Sequence, residues 1–179
     1  MESIVRIDPS AITGTLAAPP SKSAAHRALI CAALAGEGRV EGVLPSADMR
    51  ATLGAVKALG AAVHQVGEIV SITKADPPTI GSAPVVDCLE SGSTLRFLLP
   101  VFAVRGIPAT FVGRGRLPER PLGVYADCLP AHGVRLHGSG GLPLTLEGRL
   151  QGGEYALPGD VSSQFVSGLL FALPLMASS

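Results

Sequence analysis

Three short serine-rich segments hold the side chains with the clearest chemical capacity. They span residues 20–23, 90–94 and 160–164, and each opens a strongly apolar, helix-like run. Serine hydroxyls and free backbone N–H groups at the start of a helix lie at the positive end of its dipole, so they favour anions. Helix capping alone would explain any one segment. Charged and amide side chains at the same ends favour an anion site instead, because they are costly beside buried helices unless they serve a ligand. These are Lys22, Arg27, Arg96 and Gln164.

A fourth segment, residues 113–122, is rich in glycine and arginine and contains Glu119-Arg120-Pro121. A mobile basic loop is one interpretation of this composition. Pro121 also suits the first position of a helix, which would place Arg120 at a further helix N-terminus. A proline in addition restricts the preceding residue to extended backbone angles, so Arg120 is predicted to have a fixed starting direction.

The serine-rich segments recur with constant spacing. Ser23, Ser93 and Ser163 are predicted to be equivalent, and each is separated from the next by 70 residues. The apolar and turn patterns between them predict one repeated unit of strand, helix, strand, helix, strand and strand. Two copies are predicted to be complete, whereas the third stops at Ser179 within or just after its first helix.

The elements of the units follow from hydrophobic runs and from glycine punctuation. Second helices are predicted to close on Gly60 and Gly133, because glycine is the usual left-handed residue after a helix. Gly67-Glu68 and residues 138–141 are predicted hairpin turns. The predicted helices are residues 26–34, 48–59, 95–104, 122–131 and 165–176, and the predicted strands are residues 39–44, 62–66, 69–73, 109–113, 134–137 and 142–146.

Composition excludes several classes of protein. The chain has 47% apolar and 16% charged residues, which is typical of a well-buried globular protein, and its repeated strand and helix units predict the α/β (α+β) class. A formal net charge of zero and 4% aromatic residues disfavour nucleic-acid binding. The longest apolar run is too short to span a membrane, and the three separated cysteines predict reduced thiols, so a cytoplasmic protein is expected. The four histidines lack metal-ligand spacing with one another, and no metal site is expected.

Four motifs in register resemble the 5-enolpyruvylshikimate-3-phosphate synthase family. The first is Pro-Ser-Lys-Ser-Ala-Ala-His-Arg-Ala-Leu at residues 20–29, and the second is Glu-Ser-Gly-Ser-Thr-Leu-Arg at residues 90–96. The third is Leu-Pro-Glu-Arg-Pro at residues 117–121, and the fourth is Ser-Ser-Gln-Phe at residues 162–165. The resemblance extends from about residue 6 to the end of the chain.

The resemblance implies transfer of the enolpyruvyl group of phosphoenolpyruvate to the 5-hydroxyl of shikimate 3-phosphate, with release of phosphate and without a metal or organic cofactor. It implies that Lys22 is catalytic, relaying protons and contacting both substrates. The other implied shikimate 3-phosphate ligands are Ser23, Arg27, Ser162, Ser163 and Gln164, and the other implied phosphoenolpyruvate ligands are Gly92, Arg120 and Gln164.

The family fold, an inverse α/β barrel built from βαβαββ units, implies a domain organisation. Residues 1–15 would form a strand segment that crosses to a second domain, and residues 16–179 would form one incomplete domain. Its repeats would be about residues 16–76, 83–148 and 153–179. On this interpretation the chain is the N-terminal part of a longer, monomeric enzyme whose main carboxylate base lies elsewhere, and the 179 residues alone are expected to be inactive. Glu90 and Ala47 depart from the common family pattern.

Two other functions remain open at this stage. The sister enzyme that transfers enolpyruvyl to UDP-N-acetylglucosamine resembles the chain at Arg120-Pro121. It generally carries a reactive cysteine five residues before that arginine, where this chain has Gly115, and a Lys-Asn pair where this chain has Lys22-Ser23. A non-catalytic anion-binding module is the second alternative. An RNA-end-processing relative is disfavoured by neutral charge and few aromatic residues.

Overall fold

A computed structural model describes residues 4–6, 8–9, 11, 13–74, 83–138 and 140–176 of the chain. Its first half contains two helices and an antiparallel sheet with strand order β1-β3-β2. The elements are α1 (Lys22–Ala35), β1 (Glu37–Val40), α2 (Ala47–Ala58), β2 (Ala61–Val66) and β3 (Ile69–Lys74). The β2–β3 hairpin turns at Gly67, whose φ of 59° is in the left-handed region that glycine adopts without strain.

The second half repeats this arrangement and adds a strand. Its sheet has the order β4-β5-β7-β6, with β4 parallel to β5 and the other pairs antiparallel. The elements are β4 (Val85–Asp87), α3 (Gly92–Arg105), β5 (Ala109–Val112), α4 (Gly123–Cys128), β6 (Val134–His137) and β7 (Leu144–Gly148). A third helix of the repeating type, α5 (Ser163–Ala172), follows and ends in a 3-10 turn at Leu173–Leu175.

Helix α3 is the centre of the molecule. All of its residues except Ser93 and Arg105 are buried, as its apolar circumference requires. Pro100 lies inside it and has no N–H, so the carbonyl of Arg96 one turn earlier loses its helical donor. The Tyr125 hydroxyl lies 2.7 Å from that carbonyl and 2.9 Å from the carbonyl of Phe165 in α5. Tyr125 therefore supplies from α4 the donor that the proline removes.

Helix α5 packs very closely against α3 at Gly168. A Cβ atom at this position would lie 2.2 Å from the Arg96 carbonyl oxygen and 2.2 Å from the Tyr125 hydroxyl. Only a residue without a side chain permits this approach. The Tyr125 and Phe165 rings meet edge to face beside it, with centroids 4.8 Å apart.

The predicted helices and hairpins are present, with corrected ends. Helices α1, α3 and α5 begin two to four residues before the predicted apolar runs, because their first turns consist of polar and small residues. The single helix predicted at residues 122–131 is wrong: α4 ends at Cys128 and a 3-10 turn, Leu129–His132, follows, since Pro130 cannot continue the helical hydrogen bonds. Strand β7 starts at Leu144, because Pro143 has no N–H to donate.

The two units also differ more than the repeat predicted. The strand predicted at residues 39–44 is displaced, since β1 ends at Val40. Residues 13–20 form no leading strand, so the first sheet has three strands where the second has four. The predicted strand over residues 1–15 falls partly outside the described residues, and those that are described there are not in a strand. Among the described residues, no helix is both long and apolar enough to cross a membrane.

Candidate active site

Each serine-rich segment begins a helix with one serine cap. In each case the hydroxyl oxygen accepts a hydrogen bond from a backbone amide of the first turn, which satisfies one of the free N–H groups there. The capping residues are Ser21, Ser91 and Ser162, with oxygen–nitrogen distances of 3.3, 3.1 and 3.3 Å. Capping is therefore confirmed for these three serines, and it does not account for Lys22, Ser23, Ser93 or Gln164.

The caps correct the predicted equivalence of the three segments. Ser21 and Ser91 are 70 residues apart, but Ser162 follows after 71. Ser23 and Ser93 are the second residues of their helices, and in α5 that position belongs to Gln164. Ser163, predicted to match them, is the first residue of α5 and is exposed.

Gln164 joins the second and third segments. Its Nε2 donates to Ser93 Oγ over 2.8 Å, and its Oε1 accepts from Arg96 Nη1 over 2.9 Å. Both functional atoms of the amide are thus engaged by α3. This arrangement fixes the amide orientation and holds the start of α5 against the start of α3.

Two guanidinium groups converge beside Gly92. A Cβ atom on this buried glycine would lie 2.9 Å from Arg120 Nη1 and 3.1 Å from Arg96 Nη1. Arg96 is only 9% exposed, its Nε is buried without a hydrogen-bond partner among the described residues, and its guanidinium lies 5.0 Å from the centre of the Phe165 ring. Burial, and then the charge of Arg120, lower the pKa of Arg96. An anion bound here would give the buried Nε of Arg96 a hydrogen-bond partner. It would also offset the repulsion between the two guanidinium groups.

Arg120 reaches this point from a position that the sequence did not predict. Helix α4 begins at Gly123, and Pro121 therefore precedes the helix rather than opening it. Arg120 instead terminates a 3-10 turn, Leu117–Glu119, with φ −75° and ψ 136°. The extended backbone that Pro121 was predicted to impose is confirmed, whereas the helix N-terminus at Arg120 is wrong.

The first segment presents a second cationic group. Lys22 Nζ lies 3.3 Å from Asp48 Oδ2 of α2, and the lysine side chain is 63% exposed. Arg27 Nη1 donates to the carbonyl and the hydroxyl of Ser23, and its Nη2 lies 3.4 Å from Ser167 Oγ in α5. Arg27 also lies 4.8 Å from the centre of the Phe97 ring. The side chain of Arg27 thus joins Ser23, in the first segment, to α5.

The structure gathers most of the predicted site residues near the N-terminal ends of α1, α3 and α5. Gly92, Arg120 and Gln164 form one group, and Lys22, Ser23 and Arg27 form the other. The family motifs assigned no ligand role to Arg96, although its charge near the start of the apolar α3 had already marked it as a candidate anion-binding group. They also assigned none to Ser93 and Asp48, whose contacts come from other segments.

Comparison with known proteins identifies the family. The sequence model of "EPSP synthase (3-phosphoshikimate 1-carboxyvinyltransferase)" matches residues 7–179. The chain belongs to the EPSP synthase family. The resemblance inferred from the four motifs is thereby confirmed.

Curated relatives agree with this assignment. The chain is 47% identical over 175 residues to a 3-phosphoshikimate 1-carboxyvinyltransferase of Clostridium kluyveri, an alignment covering 97% of this chain and 41% of that relative. It is 42% identical over 174 residues to the corresponding protein of Clostridium perfringens, with 96% and 41% covered. The chain therefore spans about 41% of the length of these relatives.

Solved structures support the fold. A structure of EPSP synthase from Acinetobacter baumannii matches with a TM-score of 0.71 and 26% identity over 89% of this chain and 37% of that one. A second structure of the same enzyme gives a TM-score of 0.73 and 27% identity. The inverse α/β barrel fold of the EPSP synthase family is thus confirmed for the part of it that this chain spans.

One departure from the family pattern has a structural counterpart. The carboxylate of Glu90 lies against Gly115, where a Cβ atom would come within 2.6–2.8 Å of the carboxylate atoms. Gly115 also has a φ of 58°. A cysteine at this position, as in the sister enzyme, would meet both a strained backbone and the Glu90 side chain.

Proposed function

We propose that the full-length protein carrying this chain transfers the enolpyruvyl group of phosphoenolpyruvate to the 5-hydroxyl of shikimate 3-phosphate. The observation that supports this most is the convergence of Arg96 and Arg120 on Gly92, with the buried Arg96 Nε beside them. Two anionic substrates must lie close together in this reaction. Fixed guanidinium and N–H donors offset the repulsion between them.

The two groups of cations suit the two substrates. Arg120 is proposed to bind phosphoenolpyruvate, because a planar guanidinium can hold a carboxylate or a phosphate through two parallel bonds. Gly92 would let that substrate approach the backbone, since any side chain there would meet Arg120 and Arg96. Ser23 and Arg27, which contact each other, are proposed to bind shikimate 3-phosphate together with Ser162 and Ser163. Gln164, which contacts Ser93 and Arg96 of α3, is proposed to contact both substrates.

The chemistry assigns a role to Lys22. A bond forms between the 5-hydroxyl oxygen and C2 of phosphoenolpyruvate, and the bond from C2 to the phosphate oxygen breaks. The hydroxyl proton must leave during this exchange, and an amine that gives up and takes back a proton can pass it on. Lys22 projects from the start of α1 beside Asp48, at the same end as the anion-binding groups, and is proposed to relay protons.

A direct test measures phosphate release by the full-length protein. We expect release that requires both phosphoenolpyruvate and shikimate 3-phosphate, and no release when UDP-N-acetylglucosamine replaces the latter. Gly115 supports this preference, because it occupies the position of the sister enzyme's cysteine with a φ of 58°, a conformation that residues with side chains rarely adopt. Release with the nucleotide sugar would select the sister reaction. Saturable binding of shikimate 3-phosphate without any release would select a non-catalytic module.

The proposal extends to a monomeric enzyme in the cytoplasm. The three free thiols, Cys31, Cys88 and Cys128, support a reducing compartment. Light scattering on the full-length protein tests the oligomeric state, and cell fractionation tests the location.

A further inference from the structure

A chain of four buried polar side chains runs between the first and second serine-rich segments. His26 Nδ1 lies 2.7 Å from Thr52 Oγ1, and Thr52 Oγ1 lies 2.7 Å from Thr94 Oγ1. The Thr94 hydroxyl donates over 2.7 Å to the oxygen of Ser91, the cap of α3. All four side chains are at most 3% exposed. The chain crosses three helices, α1, α2 and α3, through an otherwise apolar interior.

The hydrogens in this chain can run in one direction only. A hydroxyl has a single hydrogen to donate, and that of Thr94 is used on Ser91. Thr94 must therefore accept from Thr52, and the Thr52 hydroxyl is then used as well. It follows that Thr52 accepts from His26 and that the imidazole hydrogen is on Nδ1. The chain thus fixes both the tautomer and the ring orientation of His26.

The same chain forms one of two contacts that align α1 with α2. Lys22 pairs with Asp48 and His26 pairs with Thr52, and both partners are 26 residues apart in sequence. The pairs are one helical turn apart on each helix, so α1 and α2 run in parallel register. The Lys22–Asp48 pair is largely exposed and contributes little to holding the helices. The buried His26–Thr52 pair is in an environment where a hydrogen bond is stronger.

We propose that His26, Thr52 and Thr94 are positioning residues that hold Lys22 in register with the Ser91–Ser93 end of α3. The inference rests on the proposed function, because it is Lys22 whose placement matters for proton relay. His26 fixes the turn of α1 from which Lys22 projects. Thr94 and Ser91 fix the turn of α3 that presents Gly92 and Ser93. Thr52 joins these two turns through His26 and Thr94. The distance between the cations at the start of α1 and those beside Gly92 is thereby held constant.

Paired substitutions of Thr52 separate this role from simple packing. Thr52→Val keeps the shape and removes the hydroxyl, whereas Thr52→Ser keeps the hydroxyl and removes a methyl group. In the full-length protein we expect Thr52→Val to lower kcat about tenfold or more, because small misplacements of catalytic groups are costly. Michaelis constants should stay within about threefold, since other groups hold the substrates. Thr52→Ser should remain close to the parent.

Thr110→Val is the matched control, because Thr110 shares a 3.2 Å hydroxyl contact with Thr145 across the second sheet, away from the helix N-termini. It should leave kcat unchanged. The opposite order, in which Thr52→Ser is damaging and Thr52→Val is close to the parent, would show that packing alone matters and would overturn the proposal. Thr94→Val and Thr94→Ser repeat the comparison if a Thr52 variant does not fold.

A measurement on the unaltered protein tests the chain independently of activity. With ¹⁵N-labelled histidine, NMR should show His26 as a fixed neutral imidazole protonated at Nδ1. A ring protonated at Nε2, or one averaging between tautomers, would contradict the chain. If the parent protein turns over neither shikimate 3-phosphate nor UDP-N-acetylglucosamine, the proposed function fails. The NMR spectrum of His26 still decides the direction of the hydrogen bonds in that case. If the parent is active but the Thr52 series shows no hydroxyl effect, only the positioning role fails.

Discussion

At the scale of single residues, the arrangement around Gly92 distinguishes Arg120, which the sequence already singled out before Pro121, from its neighbours Arg114 and Arg116. Arg120 points to Arg96 and Gly92, and its backbone is extended before Pro121. Arg114 pairs with Asp87 and is 65% exposed, and Arg116 is exposed. All three arginines are exposed, but they differ in their neighbours, and only Arg120 lies beside Gly92 and Arg96 in the candidate site.

Replacing Arg120 by lysine tests this separation. Lysine keeps the charge and loses the planar pair of donors. Arg120→Lys should therefore raise the Michaelis constant for phosphoenolpyruvate to a degree that corresponds to a loss of about 1.5–3 kcal/mol of binding free energy. The constant for shikimate 3-phosphate should change much less. Steady-state kinetics of the full-length protein measure both, with Arg116→Lys as a nearly silent control. Equal weakening of the two substrates, or a larger effect of Arg116→Lys, would remove Arg120 from the phosphoenolpyruvate site.

Lys22 carries the proposed proton relay. Lys22→Ala should lower kcat by about two orders of magnitude, which is typical of the loss of a general acid–base group. Asp48→Asn tests the alternative that Lys22 serves only to pair with α2, since it removes the charge of the partner and keeps the amine. Stopped assays for phosphate compare the two variants. A Lys22→Ala enzyme within about threefold of the parent would exclude the relay.

At the scale of elements, the interface between α3 and α5 depends on three residues from three segments. Pro100 frees the Arg96 carbonyl, Tyr125 donates to it, and Gly168 lets α5 come close enough for Tyr125 to reach the Phe165 carbonyl as well. Burial raises the pKa of the Tyr125 hydroxyl well above its ordinary value, so it stays a donor. The same contacts hold Gln164 and Arg96 together at the site.

Two glycine-to-alanine substitutions compare this interface with an ordinary helix surface. A methyl group on Gly168 would meet backbone and a buried hydroxyl, so Gly168→Ala should cost about 1–3 kcal/mol of unfolding free energy through overpacking. A Cβ atom on Gly54 of α2 would meet no other part of the described structure within 4 Å, and Gly54→Ala should be neutral or stabilising by up to about 1 kcal/mol. Chemical denaturation of the full-length protein measures both, and equal effects would contradict the close approach.

The helices and strands could be predicted from the sequence where they depend only on the residues within them. Apolar runs and glycine punctuation gave the helices and the two hairpins, because those signals are local. The division of the helix predicted at residues 122–131 follows from Pro130, and the late start of β7 follows from Pro143. Both could have been predicted from the positions of these prolines. The Tyr125–Arg96 contact and the convergence of Arg96 with Arg120 could not be predicted, because they depend on which segments meet in space.

At the scale of the whole molecule, two apolar clusters form one interior. One surrounds α3 and the second sheet, the other lies between α1, α2 and the first sheet, and Ala33, Ala61 and Val63 pack against both. The buried chain from His26 to Ser91 crosses between the helices of these clusters. Its histidine links the stability of the molecule to pH.

Acid should destabilise the protein through His26. Burial, the largest effect, lowers the pKa of His26 below its ordinary 6.5; Asp48 opposes this, and Lys22 and Arg27 act with it. As pH falls below 6.5, the unfolded chain binds a proton that the folded chain does not, so the unfolding free energy decreases. The slope cannot exceed about 1.4 kcal/mol per pH unit for one proton.

Denaturation from about pH 7.5 to about pH 5.5 compares the parent with two variants. His26→Gln should show a smaller loss of stability over this range, because the titrating group is gone. His64→Gln, at an exposed position of β2, should keep the parent slope. Identical slopes for all three proteins would mean that His26 does not titrate differently in the folded state.

The contact of Tyr125 with both Arg96 and Phe165 also bears on how the protein is made. The apolar surface of α3 that faces α5 cannot be covered until the ribosome has synthesised Phe165, 69 residues after Arg96. At about 5–20 residues per second, that surface waits roughly 3–14 s for its partner helix. We therefore expect nascent chains of this protein to expose the surface of α3 that faces α5 for seconds in every round of translation, as the kind of apolar segment that chaperones near the exit tunnel bind.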